Sequence, residues 1–141
     1  MKVFFDTSVL VAVFLETHEH HEPSLKAFLQ AEKRQGYCAA HSLAELYSVV
    51  TRLPGHHRLS GEQAMLFLGD VTERLTVVAL TAEEYAEAIQ DAAAKEIVGG
   101  AIYDALLVHC AKKAGAGLIY TWNRKHFQRL GPEMAGRIAN P

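Results

Sequence analysis

Short runs of β-branched, aromatic and other apolar residues recur along the chain, and turn-forming residues separate them. Runs of this length and composition are typical of buried strands. They predict four strands, at Lys2–Phe5, Tyr37–Ala40, Thr76–Leu80 and Gly117–Tyr120, and the tail to Pro141 is a candidate for a further edge strand.

Between these runs the apolar positions change to a helical spacing, with capping residues at several starts. Ser60 and Thr81 are predicted caps, and Thr7 or Ser8 would cap the first helix. The segment 42–45, Ser-Leu-Ala-Glu, has the pattern of a capping box. The predicted helices cover residues 9–15, 23–34, 42–53, 60–74, 81–95 and 101–114, with a short polar helix in 121–128.

Strands that alternate with helices predict an α/β domain with a mainly parallel sheet. The length of 141 residues is that of one domain, so we expect residues 1–141 to form a single domain. Cys38 and Cys110 lie in apolar stretches and are expected to be buried free thiols, since nothing indicates a disulfide scaffold or a zinc site.

The apolar segment 3–15 follows Lys2 and raises the question of a signal peptide. Asp6 interrupts it, no small-residue cleavage site follows, and it is too short to span a bilayer. We therefore expect a cytoplasmic protein without a membrane segment. The net charge of -2 argues against binding to nucleic acid through bulk charge, but it leaves room for a nuclease whose acidic residues hold cations.

Four polar side chains fall where the predicted strands and helices meet. Asp6 directly follows the first strand, and Asn123 comes just after the fourth. Glu45 is expected in the first turn of the helix after the second strand, and Asp104 in the first turn of the helix before the fourth. Sites in open α/β sheets form at the carboxyl ends of strands, so these groups are expected to converge.

Three carboxylates gathered at one sheet edge repel one another unless a cation neutralises them. Oxygen ligands favour Mg²⁺ or Mn²⁺, and such ions activate a water and stabilise the leaving oxygen in phosphodiester cleavage. Taken singly, Asp6 could be a turn residue, Glu45 part of a capping box and Asp104 a favourable charge at a helix start. The joint pattern favours a metal site.

Four ordered segments resemble the motifs of the PIN domain, most closely those of the VapC-like toxins of toxin–antitoxin pairs. They are Phe-Phe-Asp-Thr-Ser-Val-Leu-Val around Asp6, Ser-Leu-Ala-Glu-Leu-Tyr around Glu45, Gly-Ala-Ile-Tyr-Asp-Ala-Leu-Leu around Asp104 and Tyr-Thr-Trp-Asn-Arg-Lys-His-Phe around Asn123. The resemblance runs over nearly the whole chain. It implies a PIN-like three-layer α/β/α sandwich, Mg²⁺- or Mn²⁺-dependent endoribonuclease activity, a homodimer and a cognate VapB-like antitoxin.

By motif match, Asp6, Glu45 and Asp104 are the acidic residues of the family, with Asp6 and Asp104 as the foremost metal ligands. The fourth position, acidic in many relatives, is Asn123 here, which puts a second metal ion in doubt. Thr121 matches the hydroxyl residue often found beside the acidic residues. The alternatives are a PIN nuclease of RNA maturation without an antitoxin, and a catalytically silent PIN module that binds RNA or protein.

The sequence also contains histidine-rich, aromatic and basic segments. The segment 18–22, His-Glu-His-His-Glu, is interpreted as solvated surface near the mouth of the site, and His41 and His109 as core or interface residues. The basic cluster 52–58 is interpreted as a solvated face. Trp122 and Phe127 are assigned to core packing rather than to base stacking. A second basic group follows Asn123 and is a candidate for contact with RNA phosphates: Arg124, Lys125, His126 and Arg129.

Overall fold

The structure is a computed structural model that describes residues 1–141, apart from the side chain of Pro132. The strands are β1 (Val3–Phe5), β2 (Gly36–Ala39), β3 (Thr76–Val78), β4 (Leu118–Tyr120) and β5 (Ile138–Ala139). The helices are α1 (Thr7–Phe14), α2 (His21–Gln30), α3 (Ala40–Thr51), α4 (Gly61–Arg74), α5 (Ala82–Ala94), α6 (Ala101–Ala114) and α7 (Arg124–Gln128). Two 3₁₀ turns cover Gly55–His57 and Pro132–Arg137.

In the described residues the sheet has five strands in the order β3-β2-β1-β4-β5, and every neighbouring pair is parallel. The predicted mainly parallel sheet is therefore confirmed, and the candidate edge strand in the tail exists as β5. From β1 the chain continues on one side to β2 and β3, and then returns to the other side to form β4 and β5. The strand order thus reverses between β1 and β4, which is where open α/β sheets usually place a site.

Helices cover both faces of the sheet, because successive side chains of each strand point to opposite faces. Phe4 packs into one core with residues of α6 and α7, whereas Phe5 packs into a second core with residues of α1 to α4. In β2 the same alternation sends Cys38 to the second core and Ala39 to the first. The result is the predicted three-layer α/β/α sandwich.

Two of the predicted helix caps are confirmed as complete capping boxes. The Ser60 hydroxyl accepts the backbone N–H of Gln63 at 3.1 Å, and the Gln63 side chain accepts the N–H of Ser60 at 2.8 Å. Thr81 and Glu84 repeat the arrangement at 3.1 and 2.8 Å. These two starts lie on the surface, so the local sequence alone decides them.

The predicted cap at Ser42 is wrong, because α3 begins directly at the end of β2. Its N-cap is Ala39, and the fully buried Ser42 hydroxyl pairs with the Thr7 hydroxyl at 2.7 Å. Glu45 consequently lies in the second turn of α3 and not in the first. The cap predicted at Thr7 or Ser8 is also wrong, since both residues lie inside α1, with Asp6 as the N-cap.

The second helix differs from its prediction at both ends. It begins at His21, which leaves Pro23 within its first turn, and it ends at Gln30 rather than near Arg34. Gly36 is therefore the first residue of β2 and not a helix stop.

Cys38 and Cys110 are buried free thiols, as predicted. Burial raises the pKa of the Cys38 thiol to about 12 and that of Cys110 to about 11. Separately, none of the helices in the described part of the chain has the length and apolar character needed to cross a bilayer.

Candidate active site

A cleft of about 400 Å³ opens at the carboxyl ends of β1 and β4, and all four predicted site residues line it. Asp6 directly follows β1, and Asn123 lies at the start of α7, two residues beyond Thr121. Glu45 reaches the cleft from α3, and Asp104 from the first turn of α6. The predicted convergence on the sheet edge is therefore what the structure shows.

Asp6 is held in a closed setting, with a relative exposure of 3%. The hydroxyls of Ser8 and Thr121 both donate to Asp6 Oδ2, each at 2.7 Å. Burial raises the pKa of the Asp6 carboxyl, and these two hydrogen bonds oppose the rise because they favour the charged form. Thr121 thus takes the supporting position that the resemblance assigned to it.

The same two hydroxyls tie together the segments that follow β1 and β4. Ser8 Oγ accepts the backbone N–H of Trp122 at 3.0 Å, and Thr121 Oγ1 accepts that of Asn123 at 2.9 Å. Each hydroxyl therefore donates to the carboxylate and accepts from the backbone beyond β4. Sequence reasoning missed this role of Ser8, although a hydroxyl two residues after a buried aspartate was a usable signal.

Glu45 is oriented by a relay of hydroxyls from the opposite side of the cleft. Thr7 Oγ1 donates to Glu45 Oε1 at 3.2 Å, which leaves the Ser42 hydroxyl to donate to Thr7 at 2.7 Å. On the preceding turn of α3, His41 Nε2 lies 3.4 Å from Glu45 Oε1, and the His41 ring stacks parallel to Tyr103 at 5.7 Å. Of the two interpretations of His41, as a core or an interface residue, the core interpretation is wrong, since its side chain is 38% exposed.

Asp104 is less buried than Asp6, and its side chain is 26% exposed. Burial and then the negative charges of Asp6 and Glu45 raise the pKa of its carboxyl to about 6, while His126 opposes the rise. The His126 Nδ1 atom lies 3.7 Å from Asp104 Oδ2. Among the four basic residues that follow Asn123, His126 is therefore the one that this contact places beside Asp104. All four of these residues are exposed.

The histidine-rich segment before α2 forms part of the cleft wall, which agrees with its expected place near the mouth of the site. His18, Glu19 and His20 line the cleft. The His20 ring lies flat against Trp122, with ring centroids 3.8 Å apart and planes 7° apart. Trp122 also packs partly against the second core, whereas Phe127 is fully buried in the first, as predicted.

The donor chemistry of the cleft suits a hard divalent cation. Within the described residues, no three His, Cys, Asp or Glu side chains lie close enough together to form a metal site by themselves. Mg²⁺, however, commonly binds one or two carboxylates and completes its shell with waters and substrate phosphates. Asp6 and Asp104, whose negative charges act on each other, could supply such a partial shell, to which Glu45 and the Asn123 amide could add further oxygens.

Comparison with known proteins agrees with this geometry. Residues 3–131 match the PIN domain family. The chain belongs to the PIN-domain family. This PIN domain is 41% identical over 114 residues to Ribonuclease VapC40 of Mycobacterium tuberculosis, an alignment that covers 81% of both chains. It is 36% identical over 114 residues to Ribonuclease VapC27 of the same species, with 80% of this chain and 79% of the relative covered.

Solved VapC structures share the fold of this PIN domain. M. tuberculosis VapC20, a Sarcin-Ricin loop cleaving toxin, matches with a TM-score of 0.75 at 18% identity over 99% of this chain and 100% of its own. VapBC2 from Rickettsia felis, bound to a DNA fragment from their promoter, matches with a TM-score of 0.65 at 20% identity over 99% and 98%. At such identities the likeness concerns the fold alone. The resemblance to VapC-like PIN domains is thereby confirmed.

Proposed function

We propose that this chain is a metal-dependent endoribonuclease and the toxin of a toxin–antitoxin pair. One observation carries the proposal: Asp6, Glu45 and Asp104 line a single cleft, where burial and the negative charges of Asp6 and Glu45 raise the pKa of Asp104. A fold gains nothing in stability from such an arrangement, so it is the kind of strain that is kept for chemistry. The ribonuclease names of the relatives VapC40 and VapC27 support the same activity.

Asp6 and Asp104, with Glu45, would hold Mg²⁺ or Mn²⁺. When bound, the ion would polarise a phosphodiester and lower the pKa of a water, which is the usual role of such ions in hydrolytic cleavage. The two hydroxyls on Asp6 Oδ2 fix that carboxylate in one orientation at the cleft. Thr7 and His41 restrict Glu45 in the same way.

The exposed start of α7 is suited to hold the substrate. Asn123 offers an amide oxygen without negative charge, so it adds a polar contact without further repelling RNA phosphates. The four basic side chains that follow, Arg124, Lys125, His126 and Arg129, are all exposed. Phosphate contacts of this type position a nucleic acid without reading its bases.

The cognate partner is proposed to be a VapB-like antitoxin, and the active form a homodimer. Two structures with this fold, from Rickettsia felis and Salmonella typhimurium, are DNA-bound VapBC assemblies. An arginine from the antitoxin suits a cleft of uncompensated carboxylates, because its planar guanidinium pairs with a carboxylate through two hydrogen bonds. Inhibition by such a segment would weaken as Mg²⁺ is raised.

The direct test is cleavage of single-stranded RNA by the purified chain. We expect cleavage with Mg²⁺ or Mn²⁺, none in excess EDTA, and a loss of about 100-fold or more in Asp6→Asn. Asp70→Asn is the matched control, because Asp70 is an exposed carboxylate on α4. In cells, expression of the chain alone should arrest growth, and Asp6→Asn should relieve the arrest. Cleavage that continues unchanged in EDTA would contradict the metal mechanism, and absence of growth arrest would favour a nuclease of RNA maturation.

A further inference from the structure

We propose that His20 and Trp122 form an aromatic platform on which an unpaired base of the substrate RNA stacks, beside the acidic cleft. This inference rests on the proposed ribonuclease function and adds to it the part of the substrate that is recognised. Both residues line the same cleft as Asp6, Glu45 and Asp104. A base stacked on this platform would lie next to the phosphodiester bond that is cleaved at the carboxylates.

The Trp122 ring is fixed from two directions. Its backbone N–H donates to Ser8 Oγ at 3.0 Å, and its indole Nε1–H donates to the fully buried Ser24 hydroxyl at 2.8 Å. The side chain also packs against the core formed by α1 to α4. The indole plane is therefore a rigid support, and a rigid ring costs little conformational entropy when a ligand stacks on it.

His20 extends this support towards solvent. It is the N-cap residue of α2, yet its side chain makes no capping hydrogen bond. The ring instead lies 3.8 Å from Trp122 and within 7° of parallel. The His20 side chain is 37% exposed, with one face against the indole and Nε2 at 3.5 Å from Glu19 Oε1.

A hydrogen bond also fixes the neighbouring histidine. The backbone N–H of His20 donates to His18 Nδ1 at 3.0 Å, and the two imidazole rings are tilted by 46° with centroids 5.7 Å apart. The His18 ring is therefore a neighbour of the His20 ring that does not lie flat on it. This leaves an aromatic step at the mouth of the cleft that a planar ring can enter.

Charge explains why base stacking would be needed here. The carboxylates that line the cleft repel RNA phosphates, and the chain as a whole carries a net charge of -2. Stacking attracts a base without requiring positive charge, and histidine and tryptophan both serve as stacking partners in RNA recognition. Paired bases are already stacked, so the platform selects an unpaired nucleotide, and the larger ring surface of a purine favours it over a pyrimidine.

The test is a scan of single-stranded RNA substrates in which one base at a time, around the cleavage position, is removed to leave an abasic site. Steady-state cleavage with Mg²⁺ or Mn²⁺ gives kcat and KM for each substrate. In the wild type, removal of the base at one position should lower kcat/KM by about 5- to 150-fold, chiefly by raising KM. This is the size of effect expected for one base stacked on an aromatic side chain. A purine at that position should outperform a pyrimidine.

His20→Ala should abolish that positional penalty, so that intact and abasic substrates are cut about equally well, whereas His20→Phe, which retains a flat ring, should preserve it. His56→Ala is the matched control, because His56 is an exposed histidine in the 3₁₀ turn 55–57. Trp122 is the one tryptophan of the sequence, so its emission spectrum shows whether the indole keeps its place in each variant.

The outcomes separate the two proposals. If the wild type cuts no RNA in the presence of metal, the ribonuclease function fails and the platform fails with it. If the wild type cuts RNA but shows no position that needs its base, or if His20→Ala keeps the full penalty, the platform alone is overturned. A penalty that grows in His20→Ala would also overturn it, since the base would then stack directly on Trp122 in place of the imidazole.

Discussion

The two sides of the acidic cleft differ in how their charges are compensated. On the β1 side, Asp6 is almost fully buried and accepts two short hydrogen bonds from hydroxyls. On the α6 side, Asp104 is 26% exposed and has one basic neighbour, His126 at 3.7 Å. Burial raises the pKa of both carboxyls. The hydroxyls anchor Asp6 in place, whereas Asp104 faces the negative charges of Asp6 and Glu45 with His126 beside it.

This difference indicates that the Asp6 and Asp104 sides of the cleft have different roles. The Asp6 side is organised before any ligand arrives, which is what an enzyme needs to avoid reorganisation during the reaction. The Asp104 side would gain compensation from the proposed cation. A site that is fixed on one side and incomplete on the other binds a metal with little rearrangement, yet keeps positions open for water and RNA phosphate.

Asp104→Asn should give the largest effect and show the contrast directly. Cleavage should fall by about 100-fold or more, because the open side loses its carboxylate. In EDTA, the free energy of unfolding at pH 7.5 should nevertheless rise by about 1–2 kcal/mol, after allowance for solvent screening of a partly exposed group. Chemical denaturation with urea measures the second quantity.

The sign of this stability effect depends on pH. Since the folded protein raises the pKa of Asp104 from 3.8 to about 6, the charged carboxylate destabilises the fold above pH 6, and this penalty disappears as the pH falls towards 3.8. The advantage of Asp104→Asn should therefore shrink over that range. Asp70→Asn, at an exposed site, should show no such dependence. A destabilised Asp104→Asn variant at pH 7.5 would contradict this account of the α6 side.

Thr121→Val tests the organised side and should have the next largest effect. Valine keeps the shape of the buried threonine but removes one hydrogen bond to Asp6 Oδ2, so the pKa of Asp6 should rise further. We expect cleavage near neutral pH to fall by about 10-fold, as for a lost hydrogen bond to a charged group. The acidic limb of the pH–rate profile should move to higher pH. Thr121→Ser retains the hydroxyl and should leave that limb in place, and an unmoved limb in Thr121→Val would remove Thr121 from the site.

Asn123→Asp should produce the smallest change and would make the two sides more alike. An added carboxylate at nearly constant shape should tighten Mn²⁺ binding and lower the metal concentration for half-maximal cleavage by about threefold to tenfold. Calorimetric titration with Mn²⁺ in the absence of RNA measures it. If the titration of the variant matches that of the wild type, Asn123 lies outside the metal shell.

The sequence predicted those parts of the molecule that local patterns determine. The strands follow from short apolar runs, and the caps at Ser60 and Thr81 from a three-residue pattern on the surface. The convergence of Asp6 and Asn123 follows from their places after β1 and β4, because parallel strands bring their carboxyl ends to one edge.

The errors occurred where a side chain is used by a distant segment. Ser42 has the pattern of a cap, but its hydroxyl bonds Thr7 on another helix. His41 looks like a core residue in its apolar surroundings, but it faces Glu45 and Tyr103 at the site. His20 gives no local sign of its contact with Trp122, about a hundred positions away in the chain, since only the folded sheet brings the two segments together.

The position of β1 at the centre of the sheet also controls when the site comes into existence. Thr121 follows Asp6 by 115 positions, and β4, which directly precedes Thr121, must be made before β1 can acquire its second neighbour. Such long-range parallel pairing forms late in folding. During translation, until β4 and the residues after it have emerged from the ribosome, the Asp6 carboxylate lacks the hydrogen bond from the Thr121 hydroxyl. The cleft also lacks Asn123 at that stage. The ribosome that synthesises this nuclease is therefore attached to an inactive product until most of the polypeptide has emerged.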